Sequence, residues 1–219
     1  MENKIENKDY LKTGTTTVGI IGKDLVVLAA DKRATAGNMI VDKHVEKVFP
    51  INEHMIITTA GTVSDIQLIV KYLKAELKLK ELRTGRKPTV KEAANLIASM
   101  NYNNIRRYSV ILGVAHFLFA GHDSTGVHLY DLYPDGSITE VNIEEGFMSS
   151  GSGSVYALGV LEDAWKKDMN EQEAVALAIR SINSALKRDT ASGQGIDVYV
   201  VDKKGARKAS YKKVNDELM

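Results

Sequence analysis

The order of hydrophobic periods along the 219 residues predicts an α+β protein, with stacked antiparallel sheets and helix pairs on the outside. Three observations carry this. Apolar, β-branched runs and runs of helical spacing come in blocks: strands, two helices, strands, two helices, strands. The strand–helix–strand alternation of a doubly wound parallel sheet is absent. There are only 3 prolines and no Gly/Ser-rich linker, so nothing divides the chain and one domain is expected.

Residues 15–22 (TTTVGIIG) and 25–31 (LVVLAAD) read as a hairpin closed at Lys23 and Asp24. Residues 38–42 and 54–60 read as two more strands. The period then changes: Ile66, Ile69, Val70, Leu73 and Leu77 predict a helix over 64–83, with Gly85 as its stop. Thr89 with Glu92 has the spacing of a capping box and opens a second helix to about Asn103. Strands are predicted at 110–120, 127–133 and 138–142; the run VILGVAHFLFA suits burial between layers. A helix follows Gly151–Gly153 to about Lys167. Another starts at Asn170, with Glu173 three residues on, and runs to about Arg188. Strands close the chain at 196–202 and about 207–211.

Composition narrows the function. Hydrophobic residues make up 44%, enough for a continuous core. Lys plus Arg is 29 against Asp plus Glu at 28, a balance that argues against a dedicated nucleic-acid binder. With no cysteine, disulfides, thiolate metal sites and a Cys nucleophile are excluded. The N-terminal segment MENKIENKDYLKTG is polar and lacks the apolar core of a secretory signal. No run is long enough to span a membrane. A cytoplasmic protein is expected. No P-loop, dinucleotide fingerprint, HExxH or GxSxG pattern occurs, and the five histidines show no ligand spacing, so no metal or cofactor is expected. Gly151-Ser152-Gly153-Ser154 reads as a loop and helix cap.

The distinctive feature is Thr13-Gly14-Thr15-Thr16-Thr17, where a charged segment ends at glycine and a strand begins at threonine. Taken alone it is a tail before a β-branched strand. It is also a nucleophile in waiting. A Thr hydroxyl needs a neighbouring base, and a free α-amino group, with a reference pKa of about 7.7–8.0, can serve. One residue supplies both only when it is N-terminal, which requires a cut between Gly14 and Thr15. Gly14 suits such a junction because it lets the chain turn tightly.

TTTVGI, DKRAT at 31–35, Lys47, TTAGTVSD at 58–65, SSGSGS at 149–154, GVLE at 159–162 and RDTASG at 188–193 together resemble a proteasome β subunit, of the archaeal type with a short prosegment. The resemblance runs from Thr15 onward and implies the four-layer αββα sandwich of the N-terminal nucleophile hydrolases. It implies that residues 1–14 are a prosegment removed by self-cleavage after Gly14, and that 15–219 form one catalytic domain. The activity implied is that of a threonine endopeptidase, acting without ATP or cofactor.

Roles carry over by matching position. Thr15 matches the nucleophile, Asp31 its acidic partner, and Lys47 the lysine whose positive charge favours an ionised hydroxyl. An Asp–Lys pair can also be an ordinary ion pair. Gly61 matches the backbone N–H donor to the oxyanion. Ser152, Asp189 and Ser192 match residues bonded around the threonine amine and hydroxyl, and Arg33 a supporting position. By sequence alone Asp189 and Ser192 could equally form a helix-end turn. Ala34, Val45, Phe49, Thr59, Val63 and Gln67 match the primary substrate pocket. None is charged, so a preference for apolar or neutral side chains is expected.

The resemblance also implies heptameric β rings stacked with α-subunit rings, unfolded polypeptide as substrate, a regulatory ATPase reached through the α ring, and neither nucleic acid nor membrane as partner. The helix at 171–188 and the segment after Ser149 are candidate contact surfaces. A hexameric bacterial relative, a non-catalytic ring subunit and a small-molecule amidase of the same fold are the alternatives.

Overall fold

Thr17–Gly22 (β1) and Leu25–Asp31 (β2) form the hairpin predicted from the sequence, its two-residue turn carrying Asp24 at φ 57°, a conformation that Asp tolerates in turns. This computed structural model describes residues 14–109 and 112–209. Most of the expected prosegment, the C-terminal tail and the first residues of the strand predicted at 110–120 lie outside the described residues.

A two-stranded ribbon follows, Ala34–Ala36 (β3) and Met39–Asp42 (β4). Next come Val48–Asn52 (β5), Met55–Gly61 (β6), the helices Val63–Thr84 (α1) and Val90–Arg106 (α2), then Ala115–Asp123 (β7), Gly126–Leu132 (β8) and Ile138–Glu140 (β9). Phe147–Ser150 (β10) leads into Ser154–Ala164 (α3) and Glu171–Leu186 (α4), and Ile196–Asp202 (β11) with Gly205–Lys208 (β12) closes the order. One sheet runs β10-β1-β2-β11-β12 and the other β5-β6-β7-β8-β9, and the strand pairings within both are antiparallel among the described residues.

Alternation along the strands builds the layers. Val26, Leu28 and Ala30 of β2 face Ile56, Leu118 and Leu129 between the two sheets. Val27 and Ala29 point the other way, onto Ala174, Ala178 and Ile182 of α4. The second sheet behaves alike: Ile57, Phe117 and Phe119 pack under Ile69, Leu73 and Ile97 of α1 and α2. The result is helix pair, sheet, sheet, helix pair, as expected. Both capping boxes form, Thr89 with Glu92 and Asn170 with Glu173, and Gly85 ends α1 with its N–H on Glu81 O.

Three strands were not foreseen. β3, β5 and β10 are short, and β5 and β10 lie at sheet edges. Pro50 inside β5 lacks the N–H a central strand needs, so an edge is where it fits. The predicted helix to Lys167 stops at Ala164, and Trp165 leaves in extended conformation with its indole N–H on Ile21 O at 3.2 Å. The strand predicted from residue 15 enters the ladder only at Thr17, because Gly14, Thr15 and Thr16 are held by other partners.

Candidate active site

The ends of β1, β2 and β10 meet at one end of the first sheet, and Lys47 enters from the residue preceding β5 of the second. Asp31 closes β2 with its side chain fully buried, and its carboxylate gathers four donors. Oδ1 accepts from Thr16 N at 3.0 Å and Lys47 Nζ at 2.9 Å; Oδ2 accepts from Arg33 N at 3.0 Å and Gly193 N at 2.9 Å. Charge-assisted bonds of this kind are stronger than neutral ones, so Asp31 ties β1, the Arg33 turn and the Gly193 loop to one point.

Lys47 is buried with it. Desolvation lowers its pKa from the ordinary lysine value, opposed by the negative charge and hydrogen bond of Asp31. Its ammonium also donates to Gly14 O at 3.2 Å. The Thr15 hydroxyl donates to the same oxygen at 2.7 Å. Hydroxyl, carbonyl and cation therefore share one small volume, and the carbonyl belongs to the peptide bond preceding Thr15.

A second chain of bonds holds the other side of Thr15. Its N–H donates to Ser152 Oγ at 3.2 Å, and Ser152 donates to Asp189 Oδ2 at 2.6 Å. Ser192 also donates to Asp189 Oδ2, at 2.6 Å, and lies 2.7 Å from Thr16 Oγ1. A hydroxyl has one proton. With that of Ser192 given to the carboxylate, Thr16 is the donor in the last contact. Asp189 and Ser192 do form a helix-end turn, Ser192 N to Asp189 O at 3.3 Å, and the same turn aims both side chains at the junction. The sequence left two readings open: the helix-end turn forms, while Asp189 reaches Thr15 only through Ser152 and Ser192 bonds Thr16.

Gly151 has φ +91°, and a Cβ there would overlap the carbonyl oxygen of Thr15. Only glycine lets the β10–α3 turn come this close. Gly61, at φ +123°, ends β6 against the backbone of Val114 and lines the same cleft as Thr15. Arg33 donates to Thr190 O at 2.7 Å and to Gln194 Oε1, strapping the 190–194 loop over the site.

The cleft beside Thr15 has a volume of about 460 Å³ and is lined by Ala34, Val45, Phe49, Thr59, Val63 and Gln67, all six predicted pocket positions. The sequence reading missed Ile66 and Val70, which deepen its apolar wall, and the exposed Glu46, Lys71 and Lys74 at its margin. A larger cleft of about 680 Å³ shares Lys74 but contains neither Thr15 nor Lys47; its Thr89 is engaged as a helix cap and its Glu53 and Lys87 pair with each other. Among the described residues, no group of three or more His, Asp or Glu side chains could hold a metal ion.

Two further residues bond within the site although the sequence reading gave them no role of their own: Thr16, absorbed into the β-branched run, and Gly193, which acts through its backbone.

The family model described as "Proteasome subunit" matches residues 11–201. The chain is 44% identical to a "Proteasome subunit beta" of Ferroglobus placidus over 90% of each chain. It is 44% identical to one of Archaeoglobus fulgidus over 89% of this chain and 87% of that one, and 42% identical to one of Methanothermobacter thermautotrophicus over 98% of each.

Proposed function

Because the chain belongs to the proteasome subunit family, we propose that it is a catalytic β-type subunit of the proteasome core: a threonine endopeptidase whose nucleophile, Thr15, is freed by self-cleavage after Gly14. The observation that carries this is the 2.7 Å contact between Thr15 Oγ1 and Gly14 O, with the Lys47 ammonium 3.2 Å from the same oxygen. Residues 1–14 act as the prosegment and residues 15–219 as the catalytic domain.

In maturation, Thr15 Oγ attacks the Gly14 carbonyl carbon. Negative charge grows on Gly14 O, where Lys47 donates, and a fixed donor at that point is among the largest catalytic terms. The Gly14–Thr15 C–N bond breaks, the hydroxyl proton passes to the departing nitrogen, and an ester joins Gly14 to Thr15 Oγ. Water hydrolyses the ester and leaves a free α-amine. That amine then takes the hydroxyl proton in each turnover, held by Ser152 and, through it, by Asp189. Substrate carbonyls are attacked in the same way to an acyl-enzyme, which water releases. The Gly61 N–H supplies the further oxyanion donor. The apolar lining from Val45, Phe49 and Val70 supports a preference for apolar or neutral residues before the cut, with the charged margin left to more distant substrate positions.

The particle in which this happens is a stack of heptameric β rings and α-subunit rings in the cytoplasm, fed with unfolded polypeptide by a regulatory ATPase. The names of the relatives support the assembly. None of the described helices is long and apolar enough to cross a membrane.

Intact-mass measurement tests the reading. The parent chain should lose residues 1–14 and gain peptidase activity, while Thr15→Ala keeps the full mass and is inactive. Full activity with the prosegment still attached would overturn it. Electron microscopy of the assembled particle counts the subunits per ring.

A further inference from the structure

The Gly14 N–H is held as deliberately as its carbonyl. It donates to Thr35 Oγ1 at 3.3 Å in a buried contact spanning 21 residues of sequence. Thr35 belongs to β3, in the ribbon whose other strand β4 is exposed along its whole length, yet Thr35 itself is only 4% exposed. Where a Cβ of Gly14 would lie, the Ala191 side chain already fills the space, with Ser152 Oγ beside it. The Thr15 hydroxyl itself donates to Gly14 O.

We propose that Thr35 is a positioning residue for self-cleavage: its hydroxyl, with Ala191 behind Gly14, fixes the orientation of the Gly14 carbonyl in front of Thr15 Oγ1. The inference rests on the maturation reading above. Glycine has the widest backbone freedom of any residue, so a Gly14 peptide unit anchored only through its oxygen could swing about its own dihedrals. Bonds on both its nitrogen and its oxygen remove that swing, and holding reacting atoms in attack geometry is a main source of rate in an intramolecular step. Thr35 therefore acts on the one peptide bond that is cut once per chain. When Gly14 departs, this contact departs with it. The groups that remain around Thr15, namely Asp31, Lys47 and Ser152, are held by bonds that do not involve Thr35. Thr35 is thus separable from turnover in a way that Asp31 and Lys47 are not.

The test compares two steps in the same protein. Full-length parent, Thr35→Val and Thr35→Ser chains are followed by intact mass under the conditions in which the parent loses residues 1–14. Valine keeps the β-branched shape suited to a strand and removes the acceptor, leaving a buried N–H unpaired. The expected result is processing slowed about 10-fold, the scale of one unsatisfied buried group, with Thr35→Ser processing within about twofold of the parent because the acceptor is retained. In parallel, parent and Thr35→Val chains produced with Thr15 already N-terminal are assayed on a fluorogenic peptide, and their kcat/KM should agree within about twofold. Thr35→Val processing at the parent rate overturns the proposal. So does an equal loss in both steps, which marks a structural effect, and so does Thr35→Ser as slow as Thr35→Val. A parent that never loses residues 1–14 overturns the maturation reading itself, and this inference with it.

Discussion

Ala191 stands directly behind Gly14, so close that any side chain at position 14 would overlap its methyl group. Gly14→Ala should therefore block the loss of residues 1–14 by pushing the carbonyl away from Thr15. Adding Ala191→Gly in the same chain reopens the space and should restore part of the processing rate, by intact-mass time course. Equal rates in the single and double variants would count against steric exclusion as the cause.

Asp31 is the point at which four donors meet, one of them a buried ammonium. Removing its charge leaves Lys47 uncompensated inside the protein, a loss of about 3–5 kcal/mol in comparable buried pairs. Asp31→Asn should lower stability on that scale in denaturant unfolding and abolish processing. Normal processing in a destabilised chain would show that the pair serves the fold alone.

Burial lowers the Lys47 pKa below 10.5 despite Asp31, which gives turnover a defined alkaline limb. The ammonium is the form that stabilises negative charge, so kcat/KM should fall as pH rises through a midpoint below 10.5. The stability effect has the opposite sign. Between the folded value and 10.5 the unfolded chain binds more protons at this lysine than the folded one, so the cost of burying the ammonium is full below that window and fades as pH rises through it. A pH–rate profile that stays flat to 10.5 would exclude Lys47 as the titrating group.

Asn170 offers a control remote from the chemistry. Its side chain accepts Glu173 N at 3.0 Å and completes the α4 capping box. Asn170→Ala should cost about 1 kcal/mol of stability and leave processing unchanged, measured by thermal unfolding and intact mass in one preparation.

Where one physical signal dominated, the sequence was readable. Ile66, Ile69, Val70, Leu73 and Leu77 repeat at helical spacing and lie on the buried side of α1. β2 is a continuous apolar run up to Asp31 and lies in the middle of its sheet. The strands that escaped notice are those the core does not specify: β5 interrupted by Pro50, β10 leading into serines and glycines, and β3 with three residues. At the site, Thr15, Asp31 and Lys47 were singled out because the motifs around them resemble a family. Nothing local in the sequence joins Lys47 to Asp31, 16 residues apart, or Thr35 to Gly14. The first meeting is made by docking of the two sheets, the second by the β3–β4 ribbon, and the bond of Gly193 by a backbone N–H that no residue type announces.

The reacting groups come from different sheets. Asp31 ends β2 and Thr15 precedes β1 in one, while Lys47 precedes β5 and Gly61 ends β6 in the other. A chain whose sheets have not yet docked has no ammonium at the Gly14 carbonyl, and its Gly14–Thr15 bond is as inert as any other. Under the proposed maturation, self-cleavage is a readout of completed folding, and the protein arms itself only after it has taken its shape.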